Sequence, residues 1–138
     1  MSDLTGRCYC GKISISADGL QTIALCHCVD CRRWTSSALP VFAAFADADV
    51  TVSPVPEERS FAKGVDRRAC PECGTALTAR FDYLPGQTYV PAGVFDQADT
   101  LVPQVQCHAG SRLDWIPTLD HIPSEHGSAR NTLQGKRP

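Results

Sequence analysis

The chain has 138 residues, of which 43% are hydrophobic, and its 15 acidic side chains outnumber 13 lysines and arginines, which gives a net charge of −2. This length is typical of one domain with a modest core. The slight acidity disfavours an extended nucleic-acid surface, although the basic pairs Arg32-Arg33 and Arg67-Arg68 could bind a small anion. Because the first residues contain no apolar signal segment and no window has the length of a membrane span, we expect a soluble, cytoplasmic protein without membrane contact.

Short alternating or β-branched runs, separated by frequent turn signals, predict a mainly β fold with few or no long helices. The predicted strands are residues 13–17, 22–25, 39–45, 50–53, 59–62, 76–81, 88–95 and 101–107. Asp18-Gly19 is typical of a hairpin turn between the first two, and residues 32–37 are predicted to be a loop or one helical turn. We expect residues 1–123 to form the domain. Residues 124–138, rich in polar residues and glycine, are predicted to be a loosely ordered tail.

Three cysteines lie within six residues in the middle of the first half of the chain. Cys26, Cys28 and Cys31 (the trio) have the spacing C-x-C-x₂-C. Three thiolates this close repel one another, and a divalent metal relieves the repulsion by neutralising them. Zinc normally takes four ligands, or three and an open position. His27 would point away from the trio in an extended backbone, and Cys107 is the kind of small residue that is often simply buried. The sequence therefore favours an open zinc site at the trio.

Four other cysteines form two pairs on turns that contain glycine. Cys8, Cys10, Cys70 and Cys73 (the four-cysteine cluster) match the spacing of zinc knuckles. A complete shell of four sulfurs leaves no room for a substrate, so we expect a structural zinc there. Disulfides are disfavoured because cytosolic thiols are normally kept reduced, although a C-x₂-C pair could also be redox-active.

Together these motifs resemble the family of glutathione-dependent formaldehyde-activating enzymes, which also contains centromere protein V. The resemblance covers about residues 6–123 and rests on three segments: Gly6-Arg7-Cys8-Tyr9-Cys10-Gly11, Cys26-His27-Cys28-Val29-Asp30-Cys31-Arg32-Arg33 and Arg67-Arg68-Ala69-Cys70-Pro71-Glu72-Cys73-Gly74. Later residues, including Val94-Phe95-Asp96, Pro103, Ser111 and Trp115, also resemble the family pattern. Two positions depart from it, since Gln106 replaces the usual histidine and Ala69 replaces a phenylalanine.

The resemblance implies an antiparallel β fold of several small sheets, of the zinc-containing kind shared with a Rab exchange chaperone. It implies two zinc ions per chain, a structural one at the four-cysteine cluster and a second, which need not be fully occupied, at the trio. The implied activity is that of an S-hydroxymethylglutathione synthase, a carbon–sulfur lyase that condenses glutathione or a related thiol with formaldehyde or another small aldehyde. A homodimer is compatible with the sequence, and no nucleic-acid partner is expected.

Residues close to the trio are the candidates for substrate binding. The guanidinium groups of Arg32 and Arg33 could bind a carboxylate of glutathione, Trp34 and Trp115 could form walls of a pocket, and Ser36 could make a polar contact. Each also has a simpler interpretation. The two arginines could be an exposed basic pair, the two tryptophans core residues, and the serine an ordinary loop residue.

Two alternative functions are left open. A non-catalytic binding module would have structural zinc at both sites and a fourth protein ligand beside the trio. Nucleic-acid or cytoskeletal binding would be favoured only by the centromere relative.

Overall fold

The computed structural model describes residues 3–60 and 62–135. Within these residues the regular elements are short, and most of them are strands. The strands are β1 (Leu4–Arg7), β2 (Ser14–Ala17), β3 (Thr22–Cys26), β4 (Val41–Ala46), β5 (Val50–Ser53), β6 (Val65–Ala69), β7 (Ala76–Phe81), β8 (Gln87–Pro91) and β9 (Val105–Cys107). Two short α-helices accompany them, α1 (Val29–Thr35) and α2 (Arg130–Leu133). No helix in the described part of the chain is long and apolar enough to cross a membrane.

The strands form two sheets. The smaller sheet has the order β1-β2-β5, and the larger has the order β6-β7-β8-β4-β3-β9. Neighbouring strands are antiparallel, with the exception of β3 and β9, which are parallel and place Cys26 beside Cys107. The prediction of a mainly β fold with small antiparallel sheets is confirmed.

The larger sheet is buried on both faces in its centre. All five residues of β3 are buried, which fits a central strand between two neighbours. Because side chains alternate across a strand, Ala24 and Cys26 belong to the core on one face, whereas Ile23 packs with Phe45 in the core between this sheet and the smaller one. The first of these two faces carries the trio.

Several predicted strands agree closely with the structure. The predictions for residues 50–53 and 76–81 match β5 and β7, and β2, β3, β4 and β8 overlap their predicted ranges. The run 101–107 is shorter than predicted, because only its last three residues pair with β3. β1 and β6 were not predicted. Residues 32–37, predicted as a loop or one helical turn, contain the second half of α1, a two-turn helix that begins at Val29 within the trio. The strand predicted at residues 59–62 is wrong for Arg59, Ser60 and Ala62, which belong to no strand, and Phe61 lies outside the described residues.

The prediction of a hairpin at Asp18-Gly19 is wrong. The chain does turn there, with Gly19 at a positive φ of 64°, but β2 and β3 do not pair. β2 lies between β1 and β5, and β3 lies between β4 and β9 in the other sheet. The reason is burial, because β3 has apolar side chains on both faces and is more fully covered in the centre of the larger sheet than it would be in a two-stranded hairpin.

Residues 124–135, predicted to belong to a loosely ordered tail, pack against the domain. The backbone N–H of Glu125 donates to the carbonyl of Gln106, and that of His108 donates to the carbonyl of Gly127. Leu133, in α2, is buried in the core next to the trio. This segment therefore contributes to the surroundings of the trio, while residues 136–138 of the predicted tail lie outside the described residues.

Candidate metal centres and the adjoining pocket

The four-cysteine cluster brings together two segments that are distant in sequence. Cys8 and Cys10 follow β1 in the smaller sheet, and Cys70 and Cys73 connect β6 to β7 at the edge of the larger one. The four sulfur atoms all lie within 4.8 Å of one another. The Sγ atoms of Cys8 and Cys10 are 3.6 Å apart, and those of Cys10 and Cys70 are 3.8 Å apart.

Two similar turns hold these sulfurs in place. Gly11 donates its N–H to the carbonyl of Cys8 and Gly74 donates to that of Cys70, and both glycines have a φ of +79°, a conformation that costs a side-chain-bearing residue about 1 kcal/mol or more. The hydroxyl of Thr75 is 3.2 Å from the sulfur of Cys73, and this hydrogen bond lowers the pKa of Cys73 to about 5. The turns therefore place the sulfurs and favour the thiolate form of Cys73.

The trio lies where β3 ends and α1 begins. Cys26 is the last residue of β3, Cys28 is the N-cap of α1, and Cys31 is in its first turn. The sulfur of Cys28 accepts a hydrogen bond of 3.2 Å from the backbone N–H of Cys31. The three sulfur atoms lie within 4.8 Å of one another, and no further cysteine, histidine or carboxylate ligand of the described chain joins them at that distance.

The sulfurs of the trio cannot all ionise without a cation. Hydrogen bonds from the thiols of Cys26 and Cys31 lower the pKa of Cys28 to about 2. The hydrogen bond to Cys28 raises the pKa of Cys26 to about 12, and contacts with Cys26 and then Cys28 raise the pKa of Cys31. The thiolate of Cys28 is thus stabilised by the two neighbouring thiols. Near neutral pH, a positive charge among the sulfurs is needed before Cys26 and Cys31 also lose their protons.

Both clusters have the chemistry and dimensions of metal sites. In a tetrahedral site with metal–sulfur bonds near 2.3 Å the sulfurs are about 3.8 Å apart, which agrees with the distances in the four-cysteine cluster. The two clusters could therefore each hold a metal ion, with four protein ligands in one and three in the other. The division into a closed structural site and an open second site stays a prediction.

The trio borders a cavity of about 300 Å³ (the trio pocket). Its walls are mainly aromatic and aliphatic, and they include Phe42, Phe81, Tyr83, Leu84, Tyr89 and Leu133. Burial raises the pKa of Tyr83 to about 12, so its hydroxyl remains protonated and can donate a hydrogen bond. Cys107 also lines the pocket, and burial raises its pKa to about 12, which keeps it a neutral thiol.

The substrate-binding residues predicted from the sequence do not line the trio pocket. The half-buried Arg32 donates from Nη1 to the carbonyl of Ser111 at 3.0 Å, and Arg33 is exposed. Trp34 packs against the core of the pocket, with its ring stacked 6.3 Å from that of Phe42. The remaining two are Ser36, exposed at the C-cap of α1, and Trp115, which is 72% exposed. A substrate contact at any of these five positions stays a prediction.

Several polar residues of the pocket were not assigned to the site from the sequence, among them Arg67 and His108. Arg67, in β6, was noted only as part of a basic pair, and His108 follows Cys107 after β9. His108 adds to the hydrogen bonds from Cys26 and Cys31 in lowering the pKa of Cys28. Side chains alternate along a strand, so the sequence could show that Arg67 and Arg68 point to opposite faces of β6. It contains no signal for which of these faces is near the trio.

Gln106, at which the chain departs from the pattern of the family that it resembles, is the centre of a buried network. Its Nε2 donates to the carbonyls of Thr118, Leu119 and Ile122 at 3.0–3.3 Å. Its Oε1 therefore accepts from Nε2 of His27 at 2.9 Å, which assigns the imidazole proton to Nε2. The side chain of Gln106 thus holds a loop and fixes the histidine between two cysteines of the trio.

The chain is similar to known proteins in sequence motifs and in fold. The profile of the family described as glutathione-dependent formaldehyde-activating enzyme matches residues 3–111. The chain therefore belongs to this family. A crystal structure of a Rhodobacter sphaeroides protein, a structural genomics target, superposes with a TM-score of 0.57 at 18% identity, covering 88% of this chain and 99% of that one. This likeness supports the fold alone. No curated protein matches the sequence.

Proposed function

We propose that the protein is a zinc-dependent enzyme of the carbon–sulfur lyase type, which condenses glutathione or a related thiol with formaldehyde or another small aldehyde. The observation that carries this proposal is the trio, because three converging sulfurs border a pocket without a fourth protein ligand among the described residues. Membership of the family supports the relation to glutathione and formaldehyde. The abundance of free thiols suits a reducing compartment, so we propose a cytoplasmic location.

Zinc is the metal that best fits the donor set, because seven cysteine sulfurs in two groups are soft ligands with tetrahedral spacing. The four-cysteine cluster would hold a structural ion. A zinc ion held by the trio would supply a positive charge that stabilises a substrate thiolate and an open position for its sulfur.

The reaction forms one bond between the thiol sulfur and the aldehyde carbon. The π electron pair of the carbonyl moves to oxygen, and the proton lost by the thiol ends on that oxygen, so that no oxidant or reductant is needed. His108 can carry this proton because it lines the same pocket as the trio. The hydroxyl of Tyr83 can donate a hydrogen bond to the developing oxygen, and the apolar walls exclude water from the adduct.

Glutathione is a tripeptide, and parts of it that extend beyond the trio pocket could reach residues that the sequence suggests. We therefore retain Arg32 and Arg33 as proposed contacts of the glycine or glutamate carboxylates, and Trp34, Ser36 and Trp115 as proposed contacts of the peptide. No role for a second copy of the chain is required by this arrangement.

The test is exchange NMR on glutathione and formaldehyde, with and without zinc-loaded protein. Because the adduct also forms without a catalyst, only the rate of exchange is informative. We expect wild type to accelerate exchange and Cys28→Ser to lose both the acceleration and one equivalent of zinc. Cys107→Ala is the matched cysteine variant, and it is expected to keep the zinc at the trio.

Two results would contradict the proposal. An exchange rate unaffected by zinc-loaded wild type would show that the protein does not catalyse this reaction. Loss of one zinc equivalent from Cys107→Ala would identify Cys107 as a fourth ligand, and would favour the alternative of a non-catalytic binding module with structural metal at both sites.

A further inference from the structure

Arg67 is held against two aromatic rings at the trio pocket. Its guanidinium carbon lies 4.7 Å from the ring centroid of Trp34 and 5.6 Å from that of Phe81. A flat cation stacked on rings in this way is restricted to one position before any ligand arrives. Trp34 is in α1 immediately after the trio, and Phe81 lines the pocket. The stacking therefore fixes a positive charge beside the site proposed for the reaction.

The guanidinium of Arg67 has an unused donor. Its Nη1 is buried and has no hydrogen-bond partner in residues 3–60 and 62–135. Other arginines of the same region are paired: Arg68 binds Asp66 and the carbonyl of Pro56, and Arg80 binds Asp47 and Thr88. A buried, unpaired charged donor is costly. Because Nη1 has almost no accessible surface, a ligand in the pocket meets the other guanidinium nitrogens first, and the side chain must turn slightly before Nη1 can donate as well.

The rest of the pocket defines what such a ligand must look like. Arg67 is the one lysine or arginine among the described residues that line it, and the charged or titratable side chains around it are Asp30, His108, Tyr83, Tyr89 and the cysteines. Aromatic rings and aliphatic side chains provide most of the wall. A single carbon of formaldehyde would leave nearly all of a cavity of about 300 Å³ unfilled. The walls instead suit an aromatic or branched apolar body.

We propose that Arg67 forms a carboxylate subsite of the trio pocket, and that one of the two reactants, or the adduct, carries a carboxylate on an apolar or aromatic body. The carboxylate accepts from the fork of the guanidinium, while the reacting carbon or sulfur faces the trio. This inference rests on the proposed function for the reaction, but the anion subsite itself is defined by Arg67, Trp34 and Phe81. Planar, bidentate recognition of a carboxylate is the interaction for which arginine is best suited.

The experiment uses ligands that contain no thiol and no aldehyde. Zinc-loaded protein is titrated with 3-phenylpropanoate and with its neutral analogue 3-phenylpropanamide, and binding is followed by NMR. We expect the carboxylate to bind roughly tenfold or more tightly than the amide, because a charged hydrogen-bonded pair is lost in the amide. The indole N–H signal of Trp34 should shift on binding, whereas that of the exposed Trp115 serves as an internal reference.

Arg67→Gln should abolish the preference for the carboxylate, and Arg67→Lys should retain only part of it. Arg68→Gln is the matched control because it removes the same charge one residue away, on the opposite face of β6, and it should keep the preference. Equal affinity of wild type for the two ligands would overturn the proposal, and so would a preference that survives in Arg67→Gln. If Arg67→Gln does not fold, Arg67→Lys and the wild-type pair of ligands decide the question.

These outcomes are independent of catalysis. If the protein binds the carboxylate through Arg67 but does not accelerate thiol–aldehyde exchange, the anion subsite is supported and the proposed function is rejected. If the protein accelerates exchange but binds the two probes equally, the proposed function is supported and the anion subsite is rejected.

Discussion

At the scale of single residues, Gln106 links the site to the loop behind it. Its side chain is buried, and it satisfies three backbone carbonyls and the imidazole of His27 at once. A histidine in its place has fewer donors, so it could not make all of these contacts together. The hydrogen bonds of Gln106 therefore give this glutamine a structural role.

We expect Gln106→Leu to lower the free energy of unfolding by roughly 2–4 kcal/mol, because it leaves several buried polar groups without partners. Gln106→His should have a smaller effect, since it can restore part of the network. Urea denaturation measures both. Gln104→Leu is the control, because Gln104 is exposed and its side chain accepts one hydrogen bond, from the N–H of Ile23. Equal denaturation midpoints for Gln106→Leu and wild type would show that the network does not stabilise the fold.

The residues of the site differ in how far the sequence could predict them. The cysteines could be assigned because metal ligation imposes a spacing that is visible in the chain. Arg67 and the aromatic walls could not, since they come from β4, β6, β7 and β8 and meet only through sheet order. Arg32 and Arg33 are candidates because they follow the trio directly in the sequence. Successive side chains of a helix point in different directions, however, and neither arginine lines the pocket.

At the scale of elements, the two cysteine clusters belong to different kinds of structure. The four-cysteine cluster joins a turn after β1 to the turn between β6 and β7, and Cys8 and Cys70 are buried in a small core with Leu77. The trio joins β3 to the helix that follows it directly. A metal at the first cluster therefore connects distant parts of the fold, and a metal at the second adds little to contacts that already exist.

We expect Cys70→Ser to lose one equivalent of metal and to be destabilised by roughly 4 kcal/mol or more, because binding free energy at a structural site acts as folding free energy. Cys28→Ser should lose the other equivalent and remain folded. Metal analysis together with thermal unfolding distinguishes the two variants. Comparable loss of stability in both would mean that the trio is also a structural site.

Strand positions were more predictable than strand pairing. Alternation of apolar and β-branched residues identified most strands because it records burial, which is local information. The incorrect hairpin prediction at Asp18-Gly19 illustrates the limit. A turn residue shows that the chain changes direction, but it does not determine which strand the next strand pairs with. β1 and β6 carry few apolar side chains, and α1 is too short for a helical period to be recognised.

At the scale of the whole molecule, the last described residues complete the core around the trio pocket. Ser128 and Leu133 line the pocket, and Nε of Arg130 donates to the carbonyl of Tyr83 at 2.7 Å. The side-chain amide of Gln87 donates to the carbonyl of Leu133 at 2.8 Å. We therefore propose that the domain extends beyond residue 123, to about residue 135.

We expect a chain that ends at Pro123 to be less stable than the full chain and to have an open pocket. Leu133→Ala is the milder change, and it should cost roughly 2–4 kcal/mol because Leu133 is 6% exposed and its truncation leaves a cavity. Chemical denaturation measures the effect, with Leu20→Ala as the control, since Leu20 is 41% exposed. If Leu133→Ala were as stable as Leu20→Ala, the end of the chain would not be part of the core.

The four-cysteine cluster also determines how this chain can be cross-linked. Cys10 and Cys70 are separated by 60 positions, and a metal bridge between them would restrict the unfolded chain much as a disulfide does, which in the chain-entropy account is worth about 4 kcal/mol. Unlike a disulfide, this bridge forms without an oxidant and does not need an oxidising compartment. The stability of the fold would then depend on the supply of metal.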